Sequence, residues 1–454
     1  MSGRYAIVLA AGQGTRMKSK LYKVLHPVCG KPMVEHVVDQ AKAVGFDDIA
    51  VVVGHGAEQV KEAIPTGASF VLQNEQLGTG HAVQCAESLL KGKNGTTVVL
   101  CGDTPLITAE TLKTLIAFHE QEAAKATILT AYADNPHGYG RIIRGSNGEV
   151  DKIVEQKDAS SEELRVNEIN TGIYCFDNNT LFDVLQMVTN ENKQGEYYLP
   201  DVIGLLNKKE EKVCAYVTPT MEETIGVNDR VALAQAEKAM QARINMYWMT
   251  QGLRFIDPNT TYISVDATLA QDTTLFPNVS IKGNSNIGED CIIESGSEIH
   301  HSVIEKGVHI RSSYIYNSYV HEGATIGPFA HIRPDSTVGK EVKVGNFVEL
   351  KKASINDRSK VSHLTYIGDA DIGKDVNIGC GVVTVNYDGT NKHQTIVHDG
   401  AFIGSGSNLV APVEIGKHAF VAAGSTITNH VTDYSLAIAR ARQVDKTNYI
   451  KKDQ

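Results

Sequence analysis

The sequence predicts two units in series, an α/β fold built on a mostly parallel sheet and then a parallel β-helix. Two observations carry this. Up to about residue 230, short β-branched runs alternate with amphipathic segments, as helices crossing between parallel strands require. After residue 252 an apolar residue recurs at every sixth position, a period that belongs neither to a helix nor to a flat sheet.

In the first half the strand-like runs are Tyr5–Ala10, Ile49–Val53, Thr97–Cys101 and Thr127–Ala131. Helix-like stretches between them are Met33–Val44, Thr79–Leu90 and Ala109–Glu122. Ligands of open α/β sheets bind beyond the carboxyl ends of the strands, so the loops after Ala10 and Cys101 are the first candidates. Residues 229–251 are rich in Ala, Gln, Met and Glu and contain no Gly or Pro. They predict one long connecting helix, with Asp229 near its start and Gly252 just past its end. The expected division is therefore residues 1–229, a linker helix 230–251, and residues 252–454.

In the second half, Ile263, Leu269, Leu275, Ile281, Ile287, Ile293 and Ile299 keep the frame without a break. It slips, resumes at Ile326, Ile332, Val338, Val344 and Leu350, and is regained at Ile403, Leu409, Ile415, Val421 and Ile427. Such a repeat fits a triangular prism filled by the apolar residues, with small residues turning the corners and about nine coils over residues 263–430. At about 18 residues per coil, positions 333, 351 and 369 fall on one row, so Arg333 and Lys351 are expected to share a face with His363. The frame breaks around NYDGTNKHQ, between Val385 and Ile403, which predicts a projecting loop on a binding face.

Composition narrows the classes. The 454 residues carry a net charge of −10 with 42% hydrophobic residues, which excludes disorder and argues against holding nucleic acid by bulk charge. Length alone suggests about three domains, and the six-residue period reduces them to two. Seven cysteines, an odd number without a CxxC pair, read as free thiols in a reducing cytosol. The apolar run Tyr5–Ala11 ends in a glycine loop and reads as a buried strand, not a secretion signal. No apolar stretch approaches the roughly 18–20 residues that span a bilayer, so a cytoplasmic protein is expected.

The segment LAAGQGTRMKSKLYK, Leu9 to Lys23, runs from a strand into a glycine loop holding Arg16, Lys18 and Lys23. Gly12 and Gly14 allow N–H groups to face phosphate oxygens, and Arg16 and Lys23 supply charge. Taken alone, the loop is either a phosphate cradle or an ordinary tight turn, and neither GxxxxGK[ST] nor GxGxxG is present. Asp103 follows the strand ending at Cys101, where a carboxylate suits Mg²⁺ or, alternatively, caps the helix starting near Thr108. In the repeat, His363 and Tyr366 lie in SHLTYIGDADIG and Asn377 in DVNIG. A histidine neutral near pH 7 suits a base for acyl transfer to an amine, whereas a lone solenoid histidine is commonly a surface residue.

LAAGxGTRM with a downstream lysine resembles the sugar-nucleotide pyrophosphorylases. With QLGTGHA, GYGRI, NTG, GVND and the hexapeptide repeat, the resemblance narrows to the bacterial bifunctional N-acetylglucosamine-1-phosphate uridyltransferase / glucosamine-1-phosphate N-acetyltransferases and covers essentially the whole chain. It implies a Rossmann-like nucleotidyltransferase domain followed by a left-handed parallel β-helix, a homotrimer, Mg²⁺, and UTP and acetyl-CoA as co-substrates. By resemblance, Leu9, Ala10, Ala11, Gly12, Gln73, Gly78 and Thr79 bind the uridine nucleotide, and Arg16 and Lys23 hold phosphates. Gly140, Glu155 and Asn170 would hold N-acetylglucosamine, and Asp103 and Asn228 the metal. In the repeat, His363 would be the base, Arg333 and Lys351 the phosphate ligands, and Tyr366 and Asn377 the sugar ligands. Cys380, Asn386, Tyr387, Ser405, Ala423 and Arg440 would line the acetyl-CoA groove. The chain departs from the family at Tyr22, where proline is frequent, at Cys101, where tyrosine is, and at Cys380, where alanine is usual. Two alternatives are a glucose-1-phosphate nucleotidyltransferase with a short regulatory β-helix, and an assembly protein that keeps the architecture without catalysis.

Overall fold

The computed structural model describes residues 3–447, 449 and 450, so residues 1 and 2 of the first expected domain and residues 448 and 451–454 of the last lie outside the described residues. The chain forms two compact units, Met1–Met240 and Gln241–Gln454, and the division falls inside the helix Arg230–Thr250. Asp229 starts that helix as expected, its carboxylate accepting from Val231 N and Ala232 N, both at 2.9 Å.

In the first unit, the strands of the main sheet lie in the order Val213–Val217, Ala126–Tyr132, Glu168–Asp177, Gly95–Cys101, Gly3–Ala10, Asp48–Val53, Ser69–Leu72. All pairings along it are parallel except those of Glu168–Asp177, which runs against both neighbours. Alternate residues of the central strands pack on opposite faces: Ile7, Val99 and Ile128 join one apolar cluster, Val8, Leu100 and Leu129 the other. From Gly3–Ala10 the chain crosses first to Asp48–Val53 on one side and later to Gly95–Cys101 on the other. The loops after Ala10 and Cys101 therefore part at a topological switch point, where a crevice opens.

Met33–Val44 is one helix as expected, but the stretch Thr79–Leu90 is two, Thr79–Cys85 and Glu87–Leu90, parted at Ala86. Amphipathic spacing survives a break of one residue, so periodicity did not register it.

The second unit is a parallel β-helix of three faces. One face stacks eleven strands from Arg254–Phe255 to Leu436–Ala437, and the other two share a seventeen-strand sheet because Glu349–Ile355 and Tyr366–Ile372 run across their common corner. Every apolar residue of the six-residue frame is buried, from Ile263 to Ile427. The slips are steps of five: Ile299, Ile304, Ile310, Ile315 and Val320 are also buried, giving shorter coils with an intact core. Glycines after the apolar residue are required by the next coil. A Cβ at Gly345 would stand 1.9 Å from Ser362 O.

Two repeat expectations need correction. Lys351 pairs with Gly368, not with residue 369, because that coil has 17 residues. Corner residues with positive φ include Phe329, Phe347 and Leu364, so corners are not reserved for small residues. Their side chains are exposed, which leaves only the backbone cost of the left-handed conformation.

Candidate functional site: two centres on one chain

In the first unit, the crevice beyond Leu9 and Cys101 holds a cavity of about 450 Å³. Its lining includes Leu9, Ala11, Gly12, Lys23, Gln73, Gly78, Thr79 and Asp103, which gathers most of the expected nucleotide residues. Ala10 is the exception: its side chain lies in the apolar core, and its carbonyl accepts from the Tyr22 hydroxyl at 2.9 Å. Tyr22 thus anchors the loop where proline was expected, and burial pushes its phenol up to about 12. Gly14 has φ 64°, and a Cβ there would lie 2.4 Å from Lys23 Cβ, so only glycine lets the loop close on the lysine.

Lys23 Nζ donates to the Asp103 carboxylate and, at 2.7 Å, to Asn228 Oδ1. Arg16 Nη2 donates to the same Asn228 oxygen at 2.9 Å. Asn228 reaches this point because Val227 N donates to Asp103 O at 2.9 Å. Asp103 does not cap the following helix; Thr108 does, accepting from Thr111 N at 3.2 Å.

Two hard oxygen donors, Asp103 and Asn228, thus converge on one positive centre, the Lys23 ammonium. That donor set fits Mg²⁺, which binds through one or two protein oxygens and takes its other ligands from water and phosphate. Among the described residues, no three His, Cys, Asp or Glu side chains gather as a fuller metal site.

Beside this group, Gly140 and Asn170 are paired across neighbouring strands. A Cβ on Gly140 would lie 3.2 Å from Glu155 Oε1, so the bare position leaves the carboxylate its place. Burial, then the carboxylates of Asp158 and Asp201, raise Glu155 above the usual range, against Arg141. Cys101, which lines the cavity, donates through Sγ to Gly172 O at 3.4 Å, close to Asn170.

In the second unit, His363 ends the strand Lys360–His363, and its Nδ1 lies 2.7 Å from Asn346 Oδ1, on the preceding coil. An amide oxygen only accepts, so Nδ1 carries the proton and Nε2 keeps its lone pair. The expectation that His363 shares a face with Arg333 and Lys351 is corrected: it ends one face, and they lie on the next, beyond the corner Leu364–Thr365. Arg333 donates to Glu349 Oε1 at 2.7 Å. Lys351 stands beside Gly368, whose missing side chain leaves room for the Tyr366 hydroxyl. Asn377 stands on the face of Lys360 and Phe402, apart from Tyr366.

Cys380, Ser405, Ala423 and Arg440 follow one corner along successive coils. Gly406 N donates to Cys380 O at 2.7 Å, Gly424 N to Ser405 O at 2.8 Å, and Arg440 Nη1 to Ala423 O at 2.7 Å. His363 belongs to the same corner, its carbonyl accepting from Gly381 N at 3.4 Å. Asn386 donates to the Asp369 carboxylate, and exposed Tyr387 opens the inserted loop, paired with Lys392 across a short bridge.

Comparison with known proteins agrees with both halves. Residues 5–251 match the nucleotidyl transferase family model, residues 314–387 a GMPPB C-terminal domain, and residues 394–429 the bacterial transferase hexapeptide (six repeats). The chain is 68% identical over 453 residues to the bifunctional protein GlmU of Shouchella clausii, covering 100% of each chain. It is 58% identical to that of Halalkalibacterium halodurans and 56% to that of Listeria welshimeri, covering 100% of this chain and 99% of each relative. The chain belongs to the bifunctional protein GlmU family. Its second unit is the left-handed parallel β-helix of a hexapeptide transferase.

For this GlmU-family chain, sequence reasoning missed Asn346 and Lys392. Asn346 was reachable from coil arithmetic, lying 17 residues before His363. Lys392 sits in the inserted loop, which carries no period. The Lys351 ammonium next to it holds Lys392 below its usual range, and neither forms an ion pair with a carboxylate among the described residues. Two adjoining cations beside a hydroxyl, with only the more distant Asp369 carboxylate opposing their repulsion, make an anion site. Among the described residues, no helix is long and apolar enough to cross a membrane, and all seven cysteines are free.

Proposed function

We propose that the chain acetylates glucosamine 1-phosphate with acetyl-CoA in its second unit and transfers UMP from UTP to the product in its first. The result is UDP-N-acetylglucosamine and pyrophosphate, a precursor for peptidoglycan and other envelope polymers. Residues 1–229 are assigned to uridyl transfer, 230–251 to a connecting helix, and 252–454 to acetyl transfer. The observation that carries this reading is His363, held by Asn346 with Nε2 free, at the end of one face, with the adjoining ammoniums of Lys351 and Lys392 on the next face beyond the corner.

In the acetyl step, His363 Nε2 takes a proton from the substrate amine as its nitrogen attacks the thioester carbonyl, and coenzyme A leaves as the thiol. Lys351, Lys392 and Arg333 hold the sugar phosphate and Tyr366 contacts the sugar from the same face, while Asn377 reaches it from the face that His363 ends. Acetyl-CoA lies along the corner of Cys380, Ser405, Ala423 and Arg440, with Asn386 and Tyr387 at its edge.

In the uridyl step, a phosphate oxygen of N-acetylglucosamine 1-phosphate attacks the α-phosphorus of UTP, and pyrophosphate leaves. No protein nucleophile is needed, and the site aligns and neutralises phosphates. Leu9, Ala11, Gly12, Gln73, Gly78 and Thr79 bind the nucleotide, Ala10 contributing only backbone. Gly140, Glu155 and Asn170 bind the sugar, and Arg16 and Lys23 the phosphates. Asp103 and Asn228 would hold Mg²⁺, which supplies charge neutralisation at the phosphates when bound. The working protein is read as a cytoplasmic homotrimer assembled through the β-helix.

One assay separates the readings: glucosamine 1-phosphate, acetyl-CoA, UTP and Mg²⁺, with free thiol and pyrophosphate followed independently. His363→Ala is expected to abolish thiol release and leave uridyl transfer to supplied N-acetylglucosamine 1-phosphate unchanged. Lys23→Ala and Asp103→Ala are expected to do the converse. Pyrophosphate without thiol in the unaltered protein would point instead to a glucose-1-phosphate-type nucleotidyltransferase, and neither product to an assembly protein.

A further inference from the structure

Gln73 is buried at 3% exposure, yet it lines the nucleotide cavity. Its Nε2 lies 3.2 Å from Gly78 O and 3.1 Å from His81 Nδ1. A backbone carbonyl can only accept, so the amide nitrogen faces Gly78 and the amide cannot be reversed. Its second N–H then meets His81, whose Nδ1 must carry a lone pair and whose proton must sit on Nε2. Nε2 in turn faces Cys85 Sγ at 4.0 Å, one helical turn along Thr79–Cys85. Both amide hydrogens are thereby used inside the protein. Gln73 Oε1 accepts no hydrogen bond among the described residues and is not sealed from the cavity.

We infer that His81 is a positioning residue for base selection: by accepting from Gln73, it fixes the amide so that the cavity meets an acceptor only. Uracil offers a donor at N3–H and matches that oxygen. Cytosine presents a lone pair at N3 and is opposed by it. A site that leaves a buried polar atom facing a like partner discriminates more strongly than one relying on shape. His81 itself need not touch the nucleotide, because its effect passes through Gln73. This inference rests on the reading of Gln73 as the base-contacting residue.

The test uses the full chain, with pyrophosphate release from UTP and from CTP measured against N-acetylglucosamine 1-phosphate. His81→Leu removes the acceptor; it is expected to raise KM for UTP with kcat largely kept, and to lower the UTP-to-CTP ratio of kcat/KM about tenfold. His81→Asn keeps an oxygen acceptor close to the position of Nδ1 and is expected to restore most of the ratio. An unchanged ratio in His81→Leu, or equal loss of turnover with both nucleotides, overturns the inference. Gln73→Ala separates the two levels. If it leaves the ratio unchanged, the base-reading role of Gln73 itself fails; if it lowers the ratio while His81→Leu does not, only the role of His81 fails.

Discussion

His363 Nδ1 and Asn346 Oδ1 lie 2.7 Å apart on successive coils of the β-helix, joined by stacking and not by sequence proximity. The contact fixes the ring and its tautomer, and leaves Nε2 as the acceptor for a substrate proton. Asn346→Leu is expected to lower kcat of acetyl transfer by about tenfold to a hundredfold with little change in KM for acetyl-CoA. Asn346→Asp, which keeps the acceptor, should retain most of the rate. Thiol-release kinetics of both variants decide this.

Lys392 stands against Lys351, whose repulsion outweighs the pull of the Asp369 carboxylate and holds Lys392 below its usual range. Bringing a phosphate to this pair relieves a repulsion already built into the site. Lys392→Ala is expected to raise KM for glucosamine 1-phosphate about tenfold while altering kcat less. The same experiment at raised salt should narrow the gap between variant and wild type, because screening weakens both.

His119 is buried in the helix Ala109–Gln121, with Nδ1 2.8 Å from Thr127 Oγ1. Burial lowers it to about 4, with smaller opposing pulls from Glu120 and Asp177. The unfolded chain takes up the proton first as pH falls below about 6.5, so stability is complete above that value and declines until about pH 4. Between about pH 7.5 and pH 5 the loss is about 2 kcal/mol. Urea unfolding of the wild type should show this decline, and His119→Gln should flatten it.

Ile367 is fully buried between coils, in register with Leu350. Ile367→Ala leaves a cavity in a thin core that cannot collapse without shortening the coil. A loss of about 2–4 kcal/mol in the stability of the β-helix is expected, read by calorimetry.

The sequence by itself determined the architecture. Alternating strand and helix patterns set the parallel sheet, and the apolar frame set the solenoid core, because burial in each case follows a simple period. It also put Lys23, Asp103 and His363 forward as candidates, while a tight turn, a helix cap and a surface histidine stayed open as plainer readings of the same pattern. The tertiary structure decided what these residues touch. Asp103 meets Asn228 through the Val227 backbone contact, across a separation no pattern encodes. One coil of 17 residues, not 18, moved the row of Lys351 onto Gly368, opening the space the Tyr366 hydroxyl fills. Lys392 and His81 gained their roles from a single neighbour each, Lys351 and Gln73. Periodicity reports which side chains are buried; hydrogen-bond direction and charge pairing depend on distances of a few ångströms, which only the folded chain sets.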